Sequence, residues 1–306
     1  MEGVKKFLKK IHTDRFRWTD EALFVMVTAV LVMGLVGEIL AYPLCVLPFS
    51  GLVKADETGF WETFVMYFNF IGIWVAMILL IVIFKRNRPA LKALWTAPKG
   101  NRLKFFGIGL LIGFGLNMIC AIAAMLNKDI SISFDSFQPV KLLLIFLAVF
   151  VQSSAEELTC RCYIYQLLRR GYRHPAVPIL LNSLLFAALH SFNPGMGVIP
   201  VINLFLSGLM FSFMVYYMDS IWAAMAAHTA WNFTQNIILG LPNSGLVTPF
   251  SIFKLDAAAA SDSAFYSVSF GIEGTIISVV ALCAGCLGIY LFYRKKNVTP
   301  YDPWAA

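Results

Sequence analysis

Residues 156–161 read EELTCR: two adjacent carboxylates and a guanidinium inside a run that is otherwise mostly apolar, from Leu142 to Leu168. Two further polar sites share that setting. Phe186 to His190 reads FAALH and His228 to Asn232 reads HTAWN, each within its own apolar segment. Ionisable residues at membrane depth are costly, so they are functional candidates by default. Glu156 and Glu157 point about 100° apart on a helix and cannot face one cavity equally. Glu157 and Arg161 stand at i,i+4 with the acid first, the favourable order for an ion pair. The spacing therefore predicts a Glu157–Arg161 structural pair with Glu156 as the free carboxylate; the swapped assignment stays open. His228 and Asn232 share a helix face, as do Phe186 and His190, which sets the Phe186 ring beside the histidine. Asn193, three residues beyond His190, is within reach of the same place.

These side chains suffice for amide hydrolysis without a covalent intermediate. A carboxylate can take the proton of water, one His can orient that water, and a second His with an Asn amide can donate to the oxyanion. Glu156, His190 and His228 could instead hold zinc with water at an open position, although no HExxH spacing is present. Ser153 and Ser154 lack the G-x-S-x-G elbow of a serine hydrolase. Taken singly, a membrane His is often an interhelical hydrogen bond, and an i,i+4 Glu–Arg pair is often structural.

The elements that must position these groups are transmembrane helices. The chain of 306 residues is 59% hydrophobic and 13% charged, with mean hydropathy +0.75. Soluble domains run nearer 45–50% apolar and about 25% charged. The expected fold is all-α, one polytopic transmembrane bundle of about eight helices. The apolar runs fall at about 22–43, 60–84, 104–126, 140–168, 175–191, 198–217, 220–240 and 272–293, each near the ~20 residues that cross a bilayer. The first run is too long for a signal-peptide core and is expected to stay as a helix.

Charge sets the orientation. The net charge is +7, and 19 of the 24 Lys and Arg fall in the N-terminal segment, the 85–104 loop, the 169–174 turn and the 294–306 tail. Lys and Arg excess marks cytoplasmic segments, so both termini are expected in the cytoplasm and nucleic acid is not the expected partner. The domain reading is a basic cytoplasmic segment 1–21, a transmembrane domain 22–293 with the catalytic core at about 140–240, and a cytoplasmic tail 294–306. Val4, Phe7, Leu8 and Ile11 suggest a surface-lying amphipathic helix or a solvated tail. Loop 241–271 reads as a connector or as a lid over the outer mouth. Gly109 and Gly113 allow close helix packing. Cys283 and Cys286 read as buried apolar residues rather than a redox pair.

Depth links the three sites. From the expected cytoplasmic ends, Glu156 lies about 18 Å in, His190 about 22 Å, His228 about 12 Å and Asn232 about 18 Å, at 1.5 Å per residue. Unrelated polar residues have no reason to agree in depth.

The three motifs, in this order, resemble the CPBP family of intramembrane proteases, whose pattern is EExxxR, FxxxH and HxxxN or HxxxD. That family includes the type II CAAX prenyl proteases and bacterial homologues linked to bacteriocin processing and self-immunity (the Abi group). Every motif residue is present: Glu156, Glu157, Arg161, Phe186, His190, His228 and Asn232. The resemblance implies an eight-helix bundle and endopeptidase activity on a peptide or membrane-protein substrate at the bilayer. It implies that Glu156 activates water, His190 assists, and His228 with Asn232 stabilises the oxyanion. It favours a metal-independent glutamate protease, so no cofactor is expected, with zinc as the alternative. The short loops and the lack of an organellar signal suggest a bacterial plasma-membrane protein, so prenylated substrates are not carried over. Two other functions compete: a membrane immunity or regulatory protein of the same family that binds without cutting, and a proton-coupled transporter using Glu38 with Glu156 and Glu157. Glu38 lies in the first apolar run with no evident partner.

Overall fold

The computed structural model describes residues 10–296 and 298–305. Residues 1–9, and with them most of the amphipathic reading of the N-terminus, lie outside the described residues. Eight helical segments follow the apolar runs. They are α1 (Ala22–Ala55), α2 (Phe60–Ile83), α3 (Leu103–Leu126), α4 (Pro139–Gly171), α5 (Ala176–Leu189), α6 (Val198–Tyr217), α7 (Ile221–Asn232, continued by a wide π-type turn Phe233–Ile238) and α8 (Ile276–Lys296). Six of them, all but α5 and α7, are long and apolar enough to cross a membrane. The protein is thus a multi-pass helical membrane bundle.

Three boundaries differ from the sequence expectation, and each has a local cause. Helix α1 runs on to Ala55 through Pro43 and Pro48, because a π-type turn at Tyr42–Val46 absorbs the first proline. Such adjustments let transmembrane helices carry proline. Helix α5 stops at Leu189, so His190 caps it rather than lying within it. Helix α8 starts at Ile276, where the Thr275 side chain accepts from the Ser278 amide; an N-cap Thr fixes a helix start in this way. The fold is also not purely helical. Strands β1 (Ile132–Phe134) and β2 (Phe253–Leu255) pair antiparallel, with Ser133 opposite Lys254, and loop 241–271 is ordered around that ribbon.

Helix α7 is the axle. It packs against α3, α4 and α6, and every residue from Ile221 to Asn232 except Trp222 is buried. Its alanines let α3 come close. A Cβ on Gly113 would stand 2.0 Å from the Ala227 carbonyl oxygen, and one on Gly109 2.3 Å from that of Ala223. Small residues at such crossings are how membrane helices approach one another. Helix α1 sits at the periphery: 17% of its most apolar stretch is buried, against 67% for α4.

The basic segments share one face. Asp20, fully buried, pairs with Arg170 and, at 2.7 Å, with Arg86. The Arg173 amide donates to the Ile11 carbonyl. The tail closes this face: Arg15 pairs with Asp302 at 2.8 Å, the Tyr301 amide donates to Asp219, and Trp304 Nε1 donates to the Arg86 carbonyl. The four segments singled out for their charge therefore lie together at one end of the bundle. The β-ribbon and loop 241–271 lie at the other.

Candidate active site

Glu156 and Glu157 end the regular part of α4, and a π-type turn, Leu158–Ile164, follows at once. Such turns recur at functional sites. Both carboxylates are buried, but they have different partners. Glu157 Oε1 accepts from Arg161 Nη1 at 3.0 Å, and neither side chain is exposed at all. Arg161 Nη2 donates to the Gly208 carbonyl at 2.7 Å, and its guanidinium lies 4.9 Å and 5.2 Å from the ring centroids of Phe186 and Phe211. The pair thus joins Glu157 to Arg161, and α4 to α5 and α6. The same Glu157 oxygen meets His228 Nδ1 at 3.0 Å, so Glu157 also orients a histidine, a duty its spacing did not reveal.

A carboxylate can only accept here, so His228 Nδ1 carries a proton and Nε2 is turned toward Glu156, whose Oε2 is 3.8 Å away. Glu156 Oε1 accepts from Gln152 Nε2 at 2.6 Å. Oε2 has no hydrogen-bond partner among the described residues. Asn232 Nδ2 donates to Gln152 Oε1 at 2.9 Å. Gln152 was missed in the sequence, yet it stands one turn before Glu156 on an otherwise apolar helix, which is a readable signal. It links Asn232 to Glu156 and holds both side chains in register.

His190 lies at the end of α5, with Nδ1 2.8 Å from the Phe186 carbonyl oxygen. A carbonyl accepts, so the neutral ring has its proton on Nδ1 and a lone pair on Nε2. The Phe186 ring packs beside it, centroids 5.0 Å apart. Phe186, with contacts to His190, Arg161 and His228, is the apolar partition between the ion pair and the cavity.

One cavity of about 300 Å³ is lined by Glu156, His190, His228 and Asn232 together with Phe186 and Asn193. It also reaches groups outside the motifs. Asn193 Nδ2 donates to the Ser244 carbonyl at 3.0 Å, so loop 241–271 borders the site. Glu273, just ahead of α8, holds that loop: it accepts from Ser244 Oγ at 2.8 Å and from Trp231 Nε1 at 3.0 Å. Burial raises the Glu273 pKa above its ordinary value, while the Ser244 and Trp231 hydrogen bonds offset part of that rise. Glu38 of α1 lines the same cavity.

The zinc alternative needs donors that converge. Among the described residues no three His, Cys, Asp or Glu side chains come together as a metal-holding set. His228 Nδ1 and Glu156 Oε1 are each engaged by a neighbour. Among the described residues the donors present do not form a cage.

Residues 138–234 match the family model described as type II CAAX prenyl endopeptidase Rce1-like. The match spans the helices that carry all three motifs. No curated protein matches the chain, and no solved structure does.

Proposed function

From the premise that over residues 138–234 this chain belongs to the CPBP family of CAAX-type proteases, we propose that it is an intramembrane endopeptidase with a glutamate-activated water. One observation carries the mechanism. Of two adjacent buried carboxylates, Glu157 is held by Arg161 and His228 outside the cavity lining, while Glu156 lines the cavity with an unpartnered oxygen 3.8 Å from a histidine.

The chemistry follows from the partners. A water between Glu156 Oε2 and His190 Nε2 donates one proton to each lone pair. Its oxygen attacks the peptide carbonyl carbon as its proton passes to Glu156. The carbonyl π pair moves to oxygen, where the charge develops. His228 lies between the carboxylates of Glu157 and Glu156; in its protonated form its Nε2–H is a donor for that oxygen. Asn232 Nδ2 donates to Gln152 at 2.9 Å and to Ser153 Oγ at 3.4 Å, and the hydrogen of the longer contact is the one it turns to that oxygen. Collapse of the adduct breaks the C–N bond, and Glu156 returns its proton to the leaving nitrogen. Arg161 holds the Glu157 carboxylate in place, and Glu157 in turn orients His228.

The substrate class is a peptide or membrane protein cleaved at the bilayer. The face that gathers the Lys- and Arg-rich segments is the cytoplasmic one in this proposal. Purified wild type and Glu156→Gln are incubated with a membrane-peptide library, with and without a zinc chelator, and products are read by mass spectrometry. Cleavage that is lost in Glu156→Gln and untouched by chelator is the expected result. Loss with chelator moves the chemistry to a metal. Equal cleavage by both proteins removes Glu156 as the base, and absence of cleavage by a folded wild type puts a binding-only immunity or regulatory role ahead.

A further inference from the structure

Glu38 is the ionisable group that the mechanism does not use. Measured along their helices from the basic face, Glu38 lies about 24 Å in, Glu156 about 22 Å and His190 about 21 Å, at 1.5 Å per residue. It is exposed on an otherwise apolar helix, and among the described residues it has no hydrogen-bond or ion-pair partner. A carboxylate at this depth ordinarily faces a cavity and is paired with a cation. Glu38 has the cavity, shared with Glu156 and His190, but lacks the cation.

The two sides of α1 differ at this level. Toward α2 the contact is tight: a Cβ on Gly37 would stand 2.8 Å from Ile73 Cγ1, and one on Gly72 2.2 Å from the Gly37 carbonyl oxygen. Toward the cavity it is open. A Cβ on Gly34, one turn before Glu38, would meet nothing within 4 Å. Leu204 and Ser207 of α6 line the same cavity. The wide turns Val32–Gly37 and Tyr42–Val46 flank Glu38 on both sides. The charge balance of the lining points the same way. Among the described residues it contains the carboxylates Glu38, Glu156 and Glu273 and neither Lys nor Arg. Arg161 is fully buried behind Phe186 and held by Glu157 and Gly208.

We propose that Glu38 is the recognition group for a basic side chain of the substrate, which enters between α1 and α6, so that the preferred substrate is an apolar membrane-associated peptide with a Lys or Arg near the scissile bond. This rests on the peptidase reading of the site. The rest of the lining suits such a segment, since it includes the apolar side chains of Met33, Phe70, Met210 and Phe211.

Binding, read separately from cleavage, tests it. Full-length Glu156→Gln protein in nanodiscs is titrated with two synthetic Leu/Ala-rich peptides that differ only in a central Lys or Met. The Lys peptide is expected to bind roughly tenfold or more tightly, as for an ion pair that is largely desolvated. That preference disappears in Glu156→Gln/Glu38→Gln, and in Glu156→Gln/Glu38→Lys it passes to a peptide with central Glu. Thermal unfolding of each variant checks that it is folded, and Glu38 supports no other side chain. Equal binding of the two peptides, failure of the Lys peptide to bind, or a Lys preference that survives Glu38→Gln each overturns the assignment. The two proposals fail separately. A wild type that cuts without regard to basic residues sinks the Glu38 assignment alone, whereas a Glu38-dependent Lys preference in a protein that cuts nothing sinks the peptidase reading alone.

Discussion

Replacing Glu157 and Glu156 in turn by Gln is expected to have unequal effects on stability and similar effects on cleavage. Glu157→Gln removes the counter-charge of a guanidinium with no exposure to solvent. Breaking a buried ion pair from one side costs about 3–5 kcal/mol, because the remaining charge is left uncompensated. Arg161 keeps the Gly208 carbonyl and the faces of two rings, so the loss falls near the lower end, about 3 kcal/mol. At roughly 2–4 °C per kcal/mol for a chain of this size, the thermal midpoint drops about 6–12 °C. Glu156→Gln costs far less, under about 1 kcal/mol. The Gln oxygen still accepts from Gln152, and a charge no longer has to be buried. Thermal unfolding in detergent, followed by tryptophan fluorescence, reads both, and peptide cleavage reads function. Both variants lose cleavage, the first through His228 and the second through the water. The double variant Glu157→Leu/Arg161→Met regains most of the stability, as apolar replacements of buried pairs commonly do, but not the activity. If Glu156→Gln destabilises as much as Glu157→Gln, or if Glu157→Gln leaves the midpoint unchanged, the division of duties between the two carboxylates is wrong.

Other expectations follow from single contacts. Gly113→Ala forces the Ala227 carbonyl away and shifts α7 one residue from His228, so cleavage and stability both fall, whereas Gly115→Ala, with open space around it, is neutral or gains up to about 1 kcal/mol; parallel melts and turnover of the two variants check this. Asp20→Asn leaves Arg86 and Arg170 facing each other without a carboxylate and costs about 3 kcal/mol, measured by denaturant unfolding. Glu273 has its pKa raised on folding above the ordinary 4.5, so the folded state holds its proton more tightly than the unfolded one. Its contribution is therefore complete below about 4.5 and is lost as pH rises through the folded-state value. Stability measured from pH 4 upward should decline over that window in wild type and flatten in Glu273→Gln.

The bundle was legible because lipid imposes a simple rule: runs of about 20 apolar residues become helices, and all eight expected runs contain one. The association of basic segments at one end was legible for a similar reason, since Lys and Arg sort by side. Helix ends were less so. The first run was ended at about 43, and only the π-type turn shows how α1 passes Pro43. The last run was started three or four residues early and took in Glu273, which the Thr275 cap excludes. The candidate site was readable as far as helical spacing reaches. Glu157–Arg161, Phe186–His190 and His228–Asn232 are each one turn apart, and a one-turn relation is fixed by the helix itself. What joins them is not local. The double engagement of Glu157, the Gln152 bridge to Asn232, the Glu273 clasp on Ser244 and the place of Glu38 all depend on how different helices approach. The β1–β2 ribbon pairs segments more than a hundred residues apart through three residues each, too short to leave a pattern.

The burial of α7 bears on how the protein is made. A helix wrapped on all sides by α3, α4 and α6 does not touch lipid in the finished protein, so it has been free to carry Thr229, Asn232, Thr234, Gln235 and Asn236 in a sequence that membrane insertion would otherwise select against. Those same residues make it a poor candidate for entering the bilayer alone. Some of its polar groups find partners in segments synthesised earlier, such as Asn117 of α3, which donates to Gln235 at 2.8 Å. The helix is therefore dependent on its predecessors for admission, and His228 and Asn232 arrive with it. The candidate site is completed by the seventh helix rather than nucleated by the fourth, and a nascent chain that ends before Ile221 has the buried carboxylates of α4 without His228 and Asn232.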